Sequence, residues 1–179
     1  MNNEQLKQGK QLYDAINNVM SNSTIQLIFF KAFPNVDKAT PEKMFLMDTL
    51  KFMLYISRAD ENLSQKELNI INYFTGIYLT KSDVDELLKD NTFLSDLENE
   101  VPLTVKFLCE IENYLYKNNS SLDESLISTL ITYFKLIGYL IADSDNNVDE
   151  DENNKIQEYI EAIKEYANEN TLSPFFECE

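Results

Sequence analysis

The sequence predicts an all-α fold: a compact helical domain of about seven to eight helices with a pseudo-twofold repeat of helix, acidic loop, helix hairpins. Three observations support this prediction. Apolar residues recur at steps of three and four in nearly every segment, whereas clean alternation over the length of a strand is rare. The 179 residues include only 3 glycines and 4 prolines. N-cap signals precede several apolar segments.

We expect one domain with an extension before it and a tail after it. Residues 1–40 are predicted to form an N-terminal helical extension packed on the domain. The helical domain spans residues 41–170, in halves of about 41–100 and 101–170, and residues 171–179 form an irregular tail. A chain of this length can bury a sufficient core without disulfides or metal.

Each predicted element of the extension and first half has a local signal. One helix runs over about residues 4–20, and a shorter one runs from residue 24 toward residue 34. Thr40 caps a strongly apolar helix that ends near residue 59. Ser64 and Glu67 form a capping box for the next helix, and Ser82 caps a short one after it. The helix after the capping box carries an inward stripe of Leu68, Ile71, Phe74 and Tyr78.

The sequence of the second half predicts three further helices. Pro102 opens a helix with apolar residues in register. Ser121 and Glu124 form a second capping box before a long apolar helix that ends at residue 142. Asp149 and Glu152 cap the last helix by the same chemistry, with an aspartate in place of the serine.

Composition removes most enzyme classes and argues against nucleic acid as a ligand. The chain has 31 acidic and 15 basic side chains and a net charge of -16, which favours a basic protein partner. Without histidine, it lacks a Ser-His-Asp or Cys-His nucleophile and a histidine-ligated zinc. The three glycines lie too far apart for a phosphate-binding loop. Nothing in the sequence requires a cofactor.

The sequence predicts a cytoplasmic protein without a transmembrane segment. The first residues carry no apolar stretch after their charges. The richest apolar run, residues 126–142, contains Lys135 and is marginal in length, so we expect a buried core helix. Cys109 and Cys178 form no CxxC pair and are expected to be reduced thiols.

The two halves share a motif at an offset of 85 residues. In the first half the motif is Asp60, Leu63, Ser64 and Glu67, and in the second it is Asp145, Val148, Asp149 and Glu152. Helix positions also align, since Ile56, Ile71 and Phe74 match Ile141, Ile156 and Tyr159. Duplication explains the pattern economically. Convergence on ordinary helix-hairpin chemistry is the alternative.

The two motifs resemble the Ala-Asp-Gly-x-apolar-Ser-x-x-Glu signature of the TerB tellurite-resistance family, which also occurs as a domain of DnaJ-like co-chaperones. The stretches that carry the resemblance are YISRADENLSQKELNII from Tyr55 and YLIADSDNNVDEDENNKI from Tyr139. Both copies lack the glycine, and Ser144 replaces the alanine in the second. The resemblance covers roughly residues 42–167. It implies an all-helical fold, a non-enzymatic role in stress response or phage-related defence, and an acidic cation site.

The residues themselves support a cation site in part. Oxygen ligands alternate through Asp143, Asp145, Asn147, Asp149 and Asp151, as in an EF-hand, but Asn154 stands where the bidentate glutamate belongs. We therefore predict a weak, non-EF calcium site with a dissociation constant of about 0.1 to 1 mM or poorer. Its ligands would be Asp143, Asp145, Asp149 and Glu152, with Asp60 and Glu67 as a poorer cage in the first hairpin. Alternatively, these acids are turn formers and helix caps.

The last predicted helix carries an acidic stripe. Glu158, Glu161, Glu165 and Glu169 follow a three, four, four spacing, while apolar residues occupy the other face. Such a stripe can dock on a basic protein surface, or it can simply be a solvated face. The pair Phe175 and Phe176 in the tail must either fold back on the core or contact a partner.

These observations predict a non-enzymatic, acidic, TerB-like binding protein whose site is the pair of hairpins at residues 60–67 and 143–152. The alternative is an acidic inhibitor or immunity protein that neutralises a basic protein partner, such as a toxin or defence effector, through its last helix. An enzyme ranks last. The carboxylates Asp60 and Glu67 are chemically able to act as acid and base, but the sequence shows no pocket around them.

Overall fold

A computed structural model describes residues 3–34, 40–58, 63–89, 93–94, 100–118, 125–144 and 150–172. Over these ranges the chain forms eight α-helices and no strand, which confirms the all-α prediction. The helices are α1 (Asn3–Met20), α2 (Ser23–Ala32), α3 (Pro41–Ser57), α4 (Gln65–Thr75), α5 (Lys81–Lys89), α6 (Leu103–Lys117), α7 (Leu126–Ala142) and α8 (Glu150–Asn170).

Helices α3 and α7 form the centre of the molecule. Helix α7 packs against α1, α3, α6 and α8, and α3 packs against α4 and α6 as well. The core between them is rich in aromatic side chains: Tyr13, Phe45, Phe52, Phe74, Tyr133, Phe134 and Tyr159. Each such side chain contributes roughly 1.5 to 3 kcal/mol through burial. The extension is part of this core, since Tyr13 of α1 stacks on Phe45 at 5.0 Å between ring centroids.

Local capping chemistry explains where α3 and α4 begin and where α4 ends. The Thr40 hydroxyl accepts a hydrogen bond from the Lys43 amide at 3.4 Å. Ser64 and Glu67 form the predicted capping box, in which each side chain accepts from the other residue's backbone N–H, at 3.1 and 2.6 Å. Gly76, with φ of 67°, ends α4 in the left-handed conformation.

Three local predictions were wrong. Tyr78 is 92% exposed and lies beyond the end of α4, because Gly76 terminates the helix one turn earlier. The cap of α5 is Thr80, whose amide donates to Asp83 at 2.8 Å and whose hydroxyl accepts from the Asp83 amide, so Ser82 falls inside the helix. Helix α7 begins after Ser125, whose hydroxyl accepts from the Ser128 amide at 3.2 Å. Ser121 and Glu124 lie outside the described residues.

The boundaries of four helices reproduce the offset of 85 residues. Helix α3 spans 41–57 and α7 spans 126–142, while α4 begins at residue 65 and α8 at residue 150. The caps correspond as well, since Thr40 and Ser125 each accept a hydrogen bond from the amide three residues on. All six matched core residues, Ile56, Ile71, Phe74, Ile141, Ile156 and Tyr159, are buried.

Helix α7 is a core helix, as its sequence predicts. It ends at residue 142 as predicted, and most of its apolar side chains are buried against the neighbouring helices. Gly138 allows this close packing, because a Cβ atom there would lie 3.1 Å from Phe52 Cζ and 3.0 Å from Ile156 Cγ1. Within the described ranges, no helix has the length and hydropathy that crossing a membrane requires.

Candidate functional site

The structure describes three of the six predicted metal ligands. Asp60, Asp145 and Asp149 lie outside the described residues. Of the others, Asp143 is exposed at the end of α7, whereas Glu67 and Glu152 are buried, at 4% and 6% exposure. The described ligands therefore do not converge on one solvent-accessible point.

Glu67 has a structural role in the described part of the chain. Its carboxylate accepts a hydrogen bond from the Ser64 amide at the start of α4. Glu152 occupies the equivalent third position of α8 and is similarly buried. Buried glutamates at this position are typical of capping boxes, so the alternative interpretation of these acids as caps fits Glu67 directly.

Among the residues that the structure describes, no group of three or more aspartate, glutamate or cysteine side chains is arranged to hold a metal ion. The weak calcium site at Asp143, Asp145, Asp149 and Glu152, with Asp60 and Glu67 as the poorer cage, stays a prediction, because three of these ligands lie outside the described residues. The aromatic pair of the tail, Phe175 and Phe176, also lies outside the described residues.

The acidic stripe of α8 lies on the surface. Glu158, Glu161, Glu165 and Glu169 are all exposed. Only Glu161 makes an ion pair with another described residue, at 3.1 Å from Lys164 Nζ. On the opposite face Ile156, Tyr159, Ile160 and Ile163 are buried, so the core holds the helix and the stripe in place.

A cleft of about 110 Å³ lies beside the stripe. It is formed where α8 passes Tyr55 of α3 and the segment that leads into α6. Its lining residues are Tyr55, Glu100, Val101, Pro102, Glu158, Tyr159, Ala162 and Ile163. Glu158 belongs to both the stripe and the cleft, and the short Ala162 side chain leaves the cleft open on the α8 side.

Tyr159 lines the cleft, and its ring packs into the core behind it. Its ring stacks on Phe52 at 4.4 Å between centroids and contacts Phe134 at 5.4 Å. Its hydroxyl is buried and makes no hydrogen bond with any described residue. Burial, with a smaller effect of the Asp48 charge, raises the pKa of this hydroxyl well above its usual value, so it stays protonated at neutral pH.

Asp48 lies near this hydroxyl and links α3 to α6. Its side chain is buried, and Oδ2 accepts hydrogen bonds from the Thr104 amide at 2.9 Å and the Thr104 hydroxyl at 2.6 Å. Pro102, at the start of α6, provides no side-chain cap, so Asp48 takes that role from a different helix. Our sequence analysis missed Asp48, although a charged residue on the inner side of an apolar helix is a signal that could have identified it.

Two of the protein's own lysines flank the cleft. Lys106 Nζ lies 3.2 Å from Glu100, and Lys155 Nζ lies 4.8 Å from the centroid of the Tyr55 ring. Cations are therefore held at both an acidic and an aromatic part of the rim. Sequence reasoning did not identify the cleft, because its residues come from three segments of the chain and only packing brings them together.

No protein family, curated protein or solved structure matches this chain, so the resemblance to the TerB family stays an expectation.

Proposed function

We propose that this protein is a non-enzymatic binding protein that docks the acidic face of α8 onto the basic surface of a protein partner. The observation that carries the proposal is the exposed stripe of four glutamates on a helix that the core holds in place. Only one of the four is neutralised by a described cation. Carboxylates fixed in one row are complementary to a row of lysine or arginine side chains, and they accelerate and orient association with it.

The charge of the chain as a whole also favours a basic protein partner. The net charge of -16 repels nucleic acid and attracts basic proteins over distances of about a Debye length. Of the two functions that the sequence suggests, this surface favours the acidic inhibitor, which acts through the last helix. A TerB-like role in stress response or defence through the hairpins depends more on residues outside the described ranges.

The test compares two charge-reversal variants that change the net charge equally. One variant is Glu165→Lys with Glu169→Lys on α8, and the control is Asp85→Lys with Glu86→Lys on α5, where both side chains are exposed. Each protein is immobilised and exposed to lysate of the native host, and bound proteins are eluted with increasing salt. We expect basic proteins that elute with moderate salt from the wild type and the α5 variant but are lost from the α8 variant.

Equal retention by both variants would contradict the proposal, because net charge and not the stripe would then explain binding. Retention that does not change with salt would contradict it as well. Circular dichroism of both variants shows whether the helices are intact. Surface substitutions of this kind usually change stability by less than about 0.5 kcal/mol.

A further inference from the structure

The outer face of α2 is an apolar surface on a strongly acidic protein. Leu27 is 63% exposed and Phe30 is 50% exposed, and the two lie about one turn apart on the same side of the helix. We propose that this face binds a second copy of the chain in a weak twofold dimer. The inference goes beyond the proposed function, which concerns α8, and does not depend on it.

The inner face of α2 fixes the helix to the rest of the molecule. Phe29 is fully buried, and its ring centroid lies 5.0 Å from that of Phe107 in α6. Phe33, directly after the helix, also contacts Phe107, at 6.0 Å between centroids. The Gln26 side-chain amide donates a hydrogen bond to Glu42 of α3 at 2.8 Å. These contacts hold α2 from one side, so the fold keeps its outer apolar face turned to solvent.

Such exposure is unusual for this chain. Among the phenylalanines that the structure describes, Phe30 is the only exposed one. Leu103, which precedes Phe107 by one turn on α6, is 41% exposed, so apolar exposure continues onto the helix that α2 packs against. Neighbouring apolar side chains left open to solvent typically mark an interaction surface.

The charge around α2 indicates which partner this face accepts. Residues 15–36 contain no aspartate or glutamate, and this is the longest such stretch in a chain with 31 acidic residues. The next longest, residues 125–142, lies almost entirely in the core helix α7. Carboxylates around an interface attract a basic partner and repel an acidic one. A face without them therefore fits an acidic partner, and a second copy of this chain is acidic.

Lys31 strengthens the same preference. It is the single charged residue within residues 15–36, it is exposed, and it makes no ion pair with another described residue. The α2 surface thus adds a positive charge to a molecule with a net charge of -16, and it attracts a second copy over distances of about a Debye length.

A twofold axis makes the face self-complementary. In an antiparallel pair of α2 helices, Leu27 of each copy can contact Phe30 of the other, so both apolar side chains are covered in both copies. This pairing places each Lys31 opposite the uncharged start of the other α2 and not opposite the other Lys31. The face therefore meets its own copy without a direct clash of like charges.

The interface is small, so the dimer should be weak. Helix α2 has 10 residues and a length of about 15 Å. A contact of this length falls well short of the roughly 800 Å² per partner of a standard stable interface. Repulsion between two acidic chains lowers the affinity further. We expect a dissociation constant on the order of 0.1 mM at physiological salt.

The test is sedimentation equilibrium of the full chain at concentrations from about tenfold below to about tenfold above this dissociation constant. We expect a monomer–dimer equilibrium that tightens several-fold when sodium chloride rises from about 0.05 to about 0.5 M, because salt screens the repulsion between like-charged copies. A dimer formed by the acidic α8 stripe on lysines of a second copy would respond in the opposite way. A monomer under all conditions, or a dimer that salt weakens, would overturn the proposal.

Two matched double variants locate the interface. Leu27→Ser with Phe30→Ser removes the apolar pair without a change of charge and should weaken dimerisation at least tenfold. The control, Tyr73→Ser with Tyr78→Ser, removes two side chains of comparable or greater exposure on and beyond α4 and should dimerise like the wild type. Undiminished dimerisation of the α2 variant, or loss of the dimer in the control instead, would contradict the assignment to α2.

A second pair of variants tests the charge argument with single substitutions at exposed positions. Lys31→Glu brings an acid onto the α2 face, and Lys81→Glu makes the same change of net charge on α5. The first should weaken the dimer several-fold more than the second. Equal effects would show that net charge alone sets the affinity, and the choice of α2 would then be wrong.

The dimer and the proposed function are tested separately. The Glu165→Lys and Glu169→Lys variant leaves α2 unchanged and lowers the repulsion between copies, so it should dimerise at least as strongly as the wild type. If this variant retains the dimer and loses no basic protein in the lysate test, only the proposed function is wrong. If it loses the dimer, the interface involves α8, which overturns the inference drawn from α2.

Discussion

The carboxylate of Asp48 caps a helix to which it does not belong: Oδ2 lies 2.9 Å from the Thr104 backbone nitrogen and 2.6 Å from the Thr104 hydroxyl oxygen. Glu112 of α6 does the same for α7, since Oε1 accepts from the Ser125 hydroxyl at 2.8 Å and the Ile127 amide at 3.1 Å. Two helix N-termini thus depend on carboxylates from packed neighbours, which ties helix formation to tertiary structure.

Removal of the Asp48 carboxylate should destabilise the protein strongly. Asp48→Ala leaves the buried Thr104 amide and hydroxyl without an acceptor, and hydrogen bonds to charged groups contribute about 1.5 to 3 kcal/mol each. We expect a loss of about 2 to 4 kcal/mol in the free energy of unfolding, measured by urea denaturation with circular dichroism. Asp48→Asn keeps one oxygen acceptor, so its free energy of unfolding should fall clearly less than that of Asp48→Ala. An equal loss in the two variants would argue that the capping bonds are unimportant.

Two buried tyrosines of the core, Tyr133 and Tyr159, should respond differently to loss of the hydroxyl. The Tyr133 hydroxyl lies 3.4 Å from the Thr49 hydroxyl, whereas the Tyr159 hydroxyl has no described partner. Tyr133→Phe should therefore cost about 0.5 to 1.5 kcal/mol, and Tyr159→Phe should be neutral or slightly stabilising. Thermal unfolding of both variants measures the difference. A large destabilisation by Tyr159→Phe would show that its hydroxyl has a partner in the native protein.

Cys109 should resist alkylation in the native state. Burial, followed by the charges of Glu112 and Glu110, raises the pKa of this thiol to about 12. In a Cys178→Ser background, iodoacetamide at pH 8.5 should modify the native chain about a thousandfold more slowly than the chain in denaturant. Rapid modification of the native chain would mean that α6 opens readily.

The same shift sets the sign of an alkaline pH dependence. The thiol is neutral in both states below its unfolded pKa of about 8.5, so Cys109 adds no pH dependence to the stability there. Between about pH 8.5 and the folded pKa of about 12, the unfolded thiol ionises and the folded one does not, so stability falls as pH rises. Cys109→Ala should remove the one-proton difference between the folded and unfolded states that causes this slope, so the unfolding free energy of the variant should fall less steeply with pH than that of the wild type. Urea denaturation across that pH range measures the difference.

Calcium binding should be weak and should depend on the second hairpin. Because Asn154 replaces the bidentate glutamate of an EF-hand, we expect a dissociation constant of about 0.1 to 1 mM or poorer, and magnesium should bind less well. Calorimetry on wild type, Asp145→Asn and Asp149→Asn measures this, with Asp60→Asn as the comparison from the first hairpin. If millimolar calcium releases no heat and leaves the melting temperature unchanged, the acids of the hairpins act only as turn formers and caps.

Helix positions and the local caps follow from the sequence because their causes lie within four residues. Thr40, Ser64 and Glu67 act as predicted, and the offset of 85 residues recurs in the helix boundaries. The local errors have a local cause too. Thr80 and Ser82, like Ser121 and Ser125, are competing caps within one turn of each other, and capping propensity alone does not choose between them.

Local sequence patterns are therefore enough to predict the all-α class, most helix boundaries, the offset of 85 residues and the acidic character of α8. Which carboxylates cap α6 and α7, and which residues surround the cleft, depends on how the helices pack. Asp48 and Thr104 are 56 positions apart, and Tyr55, Glu100 and Tyr159 come from three separate segments. Such groups meet because burial of the apolar faces packs α3, α6 and α8 together. The apolar periodicity of a single helix shows which face is buried, but not which other helices it packs against.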